Sequence, residues 1–243
     1  MLHDEPTGLD QRRFPVDPWR LVETEVSTAD LGVSETLFAV GNGYVGMRAN
    51  PEEGRESHSH GTFLNGFHET WAIRHAEQAF GFAETGQTIV NAPDAKVIKL
   101  YVNDEPLLLP EADLVSYERA LCFRTGRLTR DLVWRTPSGT HVRVSSSRMC
   151  SFEHRHLAVF TFEVELLDHP APVVISSQLL NRQEGGDEYA VEAAALGEGG
   201  EGIDDPRRAR SFDRRVLLPR VPRDDGVRVI LGYRAARSGM TLA

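Results

Sequence analysis

Between Leu157 and Leu167 every second side chain is apolar: Ala158, Phe160, Phe162, Val164 and Leu166 alternate with Val159, Thr161, Glu163 and Glu165. A period of two fits a pleated strand with one buried and one wet face; a helix would scatter the same residues around its axis. The period recurs in Leu128, Leu132 and Trp134, passes Pro137-Ser138-Gly139, and resumes in Val142, Val144 and Ser146. Residues 127–149 therefore read as one long hairpin. Further strands are expected at Trp19–Ser27, Glu35–Val40, Gly61–Phe67, Lys96–Val102, Val115–Phe123, Val173–Leu180, Arg214–Leu218 and Val227–Tyr233. Residues 74–83 hold a short helical turn at most. Many short strands without a long amphipathic helix imply an all-β chain, an antiparallel β-sandwich.

A sandwich of this kind fits 243 residues as one domain, 1–243. The formal charge of −9 argues against a nucleic-acid partner, because phosphate neutralisation needs a basic face. Arginine makes up 25 of the 27 basic residues, a bias read as genomic, so single arginines carry little weight. No run approaches the roughly 18 apolar residues of a membrane helix, and the N-terminus lacks a basic and apolar leader pattern. A cytoplasmic setting without membrane contact is expected. Cys122 and Cys150 read as reduced core thiols. Residues 184–215 break the strand texture with glycine and like-charge runs, and are expected to form a flexible loop excursion.

Gly41-Asn42-Gly43-Tyr44-Val45-Gly46 matches a dinucleotide fingerprint literally. That site needs a helix opening on the last glycine, yet Pro51 stands where the helix should run. A tight β turn is the better reading. His58-Ser59-His60 and His154-Arg155-His156 place two rings on one face if they lie on strands, but no third ligand is evident, so no metal is assigned. Asn65-Gly66-Phe67-His68-Glu69-Thr70-Trp71 gathers amide, imidazole, carboxylate and indole at a strand end. Sugars are held by aromatic platforms beside polar groups, so His68, Glu69 and Trp71 are the candidate substrate-binding or interdomain residues. The competing reading is a strand-to-loop corner with Trp71 packed in the core. Glu163 and Glu165 fall on the wet face of their strand, where nothing raises a carboxyl pKa for acid catalysis.

The run Ser34-Glu35-Thr36-Leu37-Phe38-Ala39-Val40-Gly41-Asn42-Gly43-Tyr44-Val45-Gly46-Met47-Arg48 resembles the opening signature of glycoside hydrolase family 65. Gly61–Phe67, Gly86–Asn91, Lys99–Pro106, the 126–146 hairpin and Ser147-Arg148-Met149-Cys150-Ser151 follow in that family's order. The resemblance implies an N-terminal β-supersandwich of the mutarotase-like and glucoamylase type, followed in the family by a linker and a catalytic (α/α)6 barrel. It implies that the parent acts on a disaccharide such as trehalose, maltose or kojibiose. Inorganic phosphate is the co-substrate in a phosphorylase, and water replaces it in a hydrolase. The family's general-acid glutamate lies in the barrel, so no catalytic residue and no cofactor are carried onto this chain, which is expected to be inactive alone. Ser238–Ala243 reads as a strand, as in a fragment of a longer enzyme. An exposed apolar face near Phe67–Trp71 is expected to support a homodimer. Two other functions stay open: a stand-alone carbohydrate-binding module and an aldose epimerase.

Overall fold

The computed structural model describes residues 8–54, 57–77, 79–180, 212–221, 226–236 and 239–242. In chain order the elements are β1 (Arg20–Glu23), α1 (Leu31–Leu37), β2 (Val40–Gly41), β3 (Val45–Met47), β4 (Thr62–Ala72), β5 (Thr85–Asn91), β6 (Asp94–Val102) and β7 (Glu105–Pro106). There follow β8 (Asp113–Cys122), β9 (Arg127–Arg135), β10 (His141–Cys150), β11 (Leu157–Leu166), β12 (Ala171–Leu180), β13 (Phe212–Val221), β14 (Gly226–Ala236) and β15 (Gly239–Leu242). A seven-stranded sheet runs β1-β8-β9-β10-β11-β14-β15, and two four-stranded sheets run β13-β12-β6-β7 and β2-β3-β4-β5. All pairings are antiparallel.

The alternation in β11 does what its period dictates. Ala158, Phe160, Phe162, Val164 and Leu166 are all buried, while Glu163 and Glu165 are half-exposed. These side chains join Leu132, Trp134, Val142 and Val144 from β9 and β10 in one core. Ile98, Leu100 and Val102 of β6 and Val173 and Ile175 of β12 belong to the same core, so the large sheet packs face to face on the β6–β12 sheet. The 127–149 hairpin is present, with Val144 opposite Leu132.

Several expectations need correction. Glu35–Val40 is not a strand: α1 takes residues 31–37 and only Val40–Gly41 extends. Tertiary contacts override local alternation here, because Glu35 is buried and its carboxylate accepts the backbone N–H of His58 (2.8 Å) and Ser59 (3.1 Å) and Nη2 of Arg48 (3.3 Å). Trp19–Ser27 shortens to β1, and residues 85–91 form a strand that was not anticipated. The described residues of 74–83 contain a turn rather than a helix, because they close the β4–β5 hairpin. Neither H-x-H pair lies on a strand; both sit in loops. Cys150 is buried and Cys122 half-buried, both as free thiols. Residues 184–211 of the expected excursion lie outside the described residues, and Phe212–Arg215 begin β13, where they pair with β12.

The glycine-rich run is a tight turn between β2 and β3. Gly43 adopts φ +84°, and the Asn42 side-chain oxygen accepts the N–H groups of Tyr44 (3.0 Å) and Val45 (2.9 Å). The asparagine thus closes the turn in the way short polar side chains do.

Candidate functional site

Three strands of the large sheet carry an arginine on their inner face. Arg119 of β8, Arg130 of β9 and Arg148 of β10 are all buried, and Arg119 stands directly opposite Arg130 in the register. Adjacent like charges in a core are unfavourable unless carboxylates separate them. The carboxylates come from β1 and from the loop after β3. Glu23 pairs with Arg119 and accepts Nη2 of Arg13 (2.6 Å) and Oγ of Ser34 (2.8 Å). Glu53 takes both terminal nitrogens of Arg130, at 2.9 and 2.7 Å. Glu52 bridges Arg130 (3.0 Å) and Arg148 (2.6 Å) and accepts Oγ of Ser146 (3.2 Å). Arginine also holds the loop backbone: Arg119 donates to the Ala49 carbonyl (3.2 Å) and Arg148 to the Asn50 carbonyl (2.8 Å).

This cluster clasps a loop to a sheet, and its electrostatics exclude proton donation at neutral pH. Burial alone would raise the Glu52 carboxyl, but the Arg130 and Arg148 guanidiniums outweigh it and hold the group at about 2. A general acid requires the opposite displacement. A void of about 10 Å³ lies against Glu52, Tyr117, Arg130, Ser146 and Arg148, and that is room for one water rather than a sugar. Burial pushes the Tyr117 hydroxyl up to about 12, so it too stays protonated.

The sequence-selected residues lie elsewhere, on β4. His68 stands opposite Ile89 of β5, Glu69 opposite Thr88 and Trp71 opposite Gly86. Residues 68 and 71 are three apart, so alternation sends His68 and Trp71 to opposite sides of the hairpin. The trio does not converge on one surface. Trp71 is 51% exposed, which overturns its alternative placement in the core. Its indole covers the backbone of Gly86, where an added Cβ would fall 2.3 Å from the ring. The sequence Gly86 opposite Trp71 thus seats an aromatic plate on a bare strand. Phe67, Phe80, Phe82 and Ile89 are exposed on the same hairpin, and the His75 ring lies 4.9 Å from that of Phe82.

Among the described residues, no three metal-ligating side chains come together, and no helix is long and apolar enough to cross a membrane. Residues 21–243 match the profile of the glycosyl hydrolase family 65 N-terminal domain. The chain belongs to that family. Relatives include an uncharacterized glycosyl hydrolase of Mycobacterium tuberculosis, 39% identical over 70% of this chain and 22% of its own length. The alpha,alpha-trehalose phosphorylase of Thermoanaerobacter brockii is 36% identical over 63% of this chain and 20% of its own. The family 65 chain thus spans about a fifth of the length of these relatives. A solved chain from the human microbiome, provisionally assigned as a kojibiose phosphorylase, superposes with a TM-score of 0.71. It covers 95% of this chain and 33% of its own at 18% identity, which establishes the shared sandwich fold.

The buried clasp was missed by sequence reasoning although a signal existed. Arg130 and Arg148 occupy inward positions of strands whose alternation was otherwise read correctly.

Proposed function

We propose that this chain is a non-catalytic, carbohydrate-associated N-terminal domain of an α-glucoside phosphorylase or hydrolase acting on a disaccharide such as trehalose, maltose or kojibiose. The observation that carries the reading is the family 65 N-terminal match over 21–243, with relatives about five times longer than the matched stretch. What the domain offers is a rigid core, a clasped loop and an aromatic hairpin face. Phe67 and Trp71 on that face suit packing against a catalytic domain, with the substrate bound beyond the sandwich. Phosphate enters as co-substrate where the parent is a phosphorylase.

A stand-alone binding module is the second reading. The half-exposed indole over Gly86 favours it, because a sugar ring can stack on such a plate. Titrating trehalose, maltose and kojibiose into the chain, and into Trp71→Phe, separates the two by tryptophan fluorescence. An accessory domain gives no saturable change. A saturable change lost in Trp71→Phe overturns the accessory reading in favour of the module.

A further inference from the structure

We infer that the free edge of β5 is a self-association surface, on which a second copy of this chain adds its own β5 in antiparallel register. The argument starts from the six sheet edges: β1 and β15, β7 and β13, β2 and β5. Exposed edges present unpaired N–H and C=O groups, and chains blunt them by charge, proline or shortness. β1 carries Arg20 and Glu23; β13 carries Asp213, Arg214, Arg215 and Pro219. β2 and β7 have two residues each and β15 has four. β5, Thr85-Gly86-Gln87-Thr88-Ile89-Val90-Asn91, has seven residues with no charge and no proline. Thr85, Gln87, Thr88 and Ile89 are exposed. In a chain of net charge −9, this is the long edge where two copies meet without juxtaposing like charges.

The hairpin register fixes which groups face outward. The Ile73 N–H donates to the Glu84 carbonyl (2.9 Å), so the 73–84 pair is hydrogen-bonded, and so by alternation are 71–86 and 69–88. Thr85, Gln87 and Ile89 therefore point their backbone groups away from β4. A two-fold axis through Thr88 pairs Gln87 with the partner subunit's Ile89 and the reverse, and uses the full strand. Such a contact is isologous and closes at two copies. It employs the edge of the hairpin and leaves the Trp71 face free, so it is independent of the accessory role, which sugar titration and turnover test separately.

Sedimentation velocity of the 243-residue chain over 1–100 μM is the first test, with a concentration-dependent monomer–dimer equilibrium expected. Added salt should favour the dimer, since it screens the repulsion of the remaining acidic surface. Gln87→Pro removes an outward N–H and no bond within the sheet. It should abolish the dimer while leaving the melting temperature within a few degrees. The axis makes a second claim. Thr88 is a non-hydrogen-bonded pair across it, a separation suited to a disulfide. Thr88→Cys in a Cys122→Ser background should oxidise to a covalent dimer, and Thr85→Cys should not. A strictly monomeric chain, a ladder of higher oligomers, or a dimer indifferent to Gln87→Pro with equal cross-linking at 85 and 88 overturns the inference.

Discussion

Glu52→Gln tests the buried clasp most sharply. The substitution keeps the shape of the side chain and removes its charge, leaving Arg130 and Arg148 with Glu53 as their one remaining carboxylate partner in the pair. A carboxyl held at about 2 against an ordinary 4.5 corresponds to about 3 kcal/mol of preference for the ionised form in the fold. Breaking one partner of a buried pair costs about 3–5 kcal/mol, because the other charge is stranded. At roughly 2–4 °C per kcal/mol for a domain of this size, the melting temperature should fall by about 6–12 °C or more. The pH dependence carries the sign. The folded value is depressed, so the contribution is fully present above about 4.5 and is lost as pH falls towards about 2. Thermal unfolding followed by circular dichroism between pH 7 and pH 3 reads both effects, and the variant should lose less stability over that interval than the parent. The double variant Glu52→Gln with Arg148→Met restores neutrality and should fall by less than the two single losses added together. A drop of under about 2 °C for Glu52→Gln, or strict additivity in the double variant, refutes the clasp as a stabilising unit.

Gly43→Ala should destabilise by about 1–2 kcal/mol, since alanine at φ +84° meets the steric cost of the left-handed region; an unchanged denaturation midpoint contradicts this. Native thiol titration with an aromatic disulfide at pH 8 should give one fast equivalent. Hydrogen bonding by Thr125 lowers the Cys122 thiol, whereas burial pushes Cys150 up to about 11, so two fast equivalents would be inconsistent with the core position of Cys150.

The sheet scaffold was legible in the sequence because a strand with one wet face must alternate, and β9, β10 and β11 do so without interruption. The helix at Leu31–Leu37 was not legible, because what selects it is distant: Glu35 is needed by backbone groups more than 20 residues away. Half of the clasp was visible. Leu128-x-Arg130-x-Leu132 and Val144-x-Ser146-x-Arg148 place guanidiniums in an inward register, and a buried arginine demands a carboxylate. Reading arginine as a compositional bias discarded that signal. The partners could not be named in any case, since Glu53 and Glu52 lie 77 and 96 residues from Arg130 and Arg148. On β4 the parity of the numbers already separated His68 from Trp71, and proximity in sequence was mistaken for proximity on a surface. The exposed state of Trp71 depended on Gly86 across the hairpin, in a strand the alternation did not reveal.

The central claim is that this family 65 domain does no chemistry by itself. Its direct test is to incubate the purified 243-residue chain with trehalose, maltose and kojibiose, each with and without inorganic phosphate, and to follow glucose and glucose 1-phosphate. The account predicts no release above a heat-inactivated control in any of the six reactions. Sustained, protein-dependent release of either product, diminished by Glu69→Gln, would contradict it.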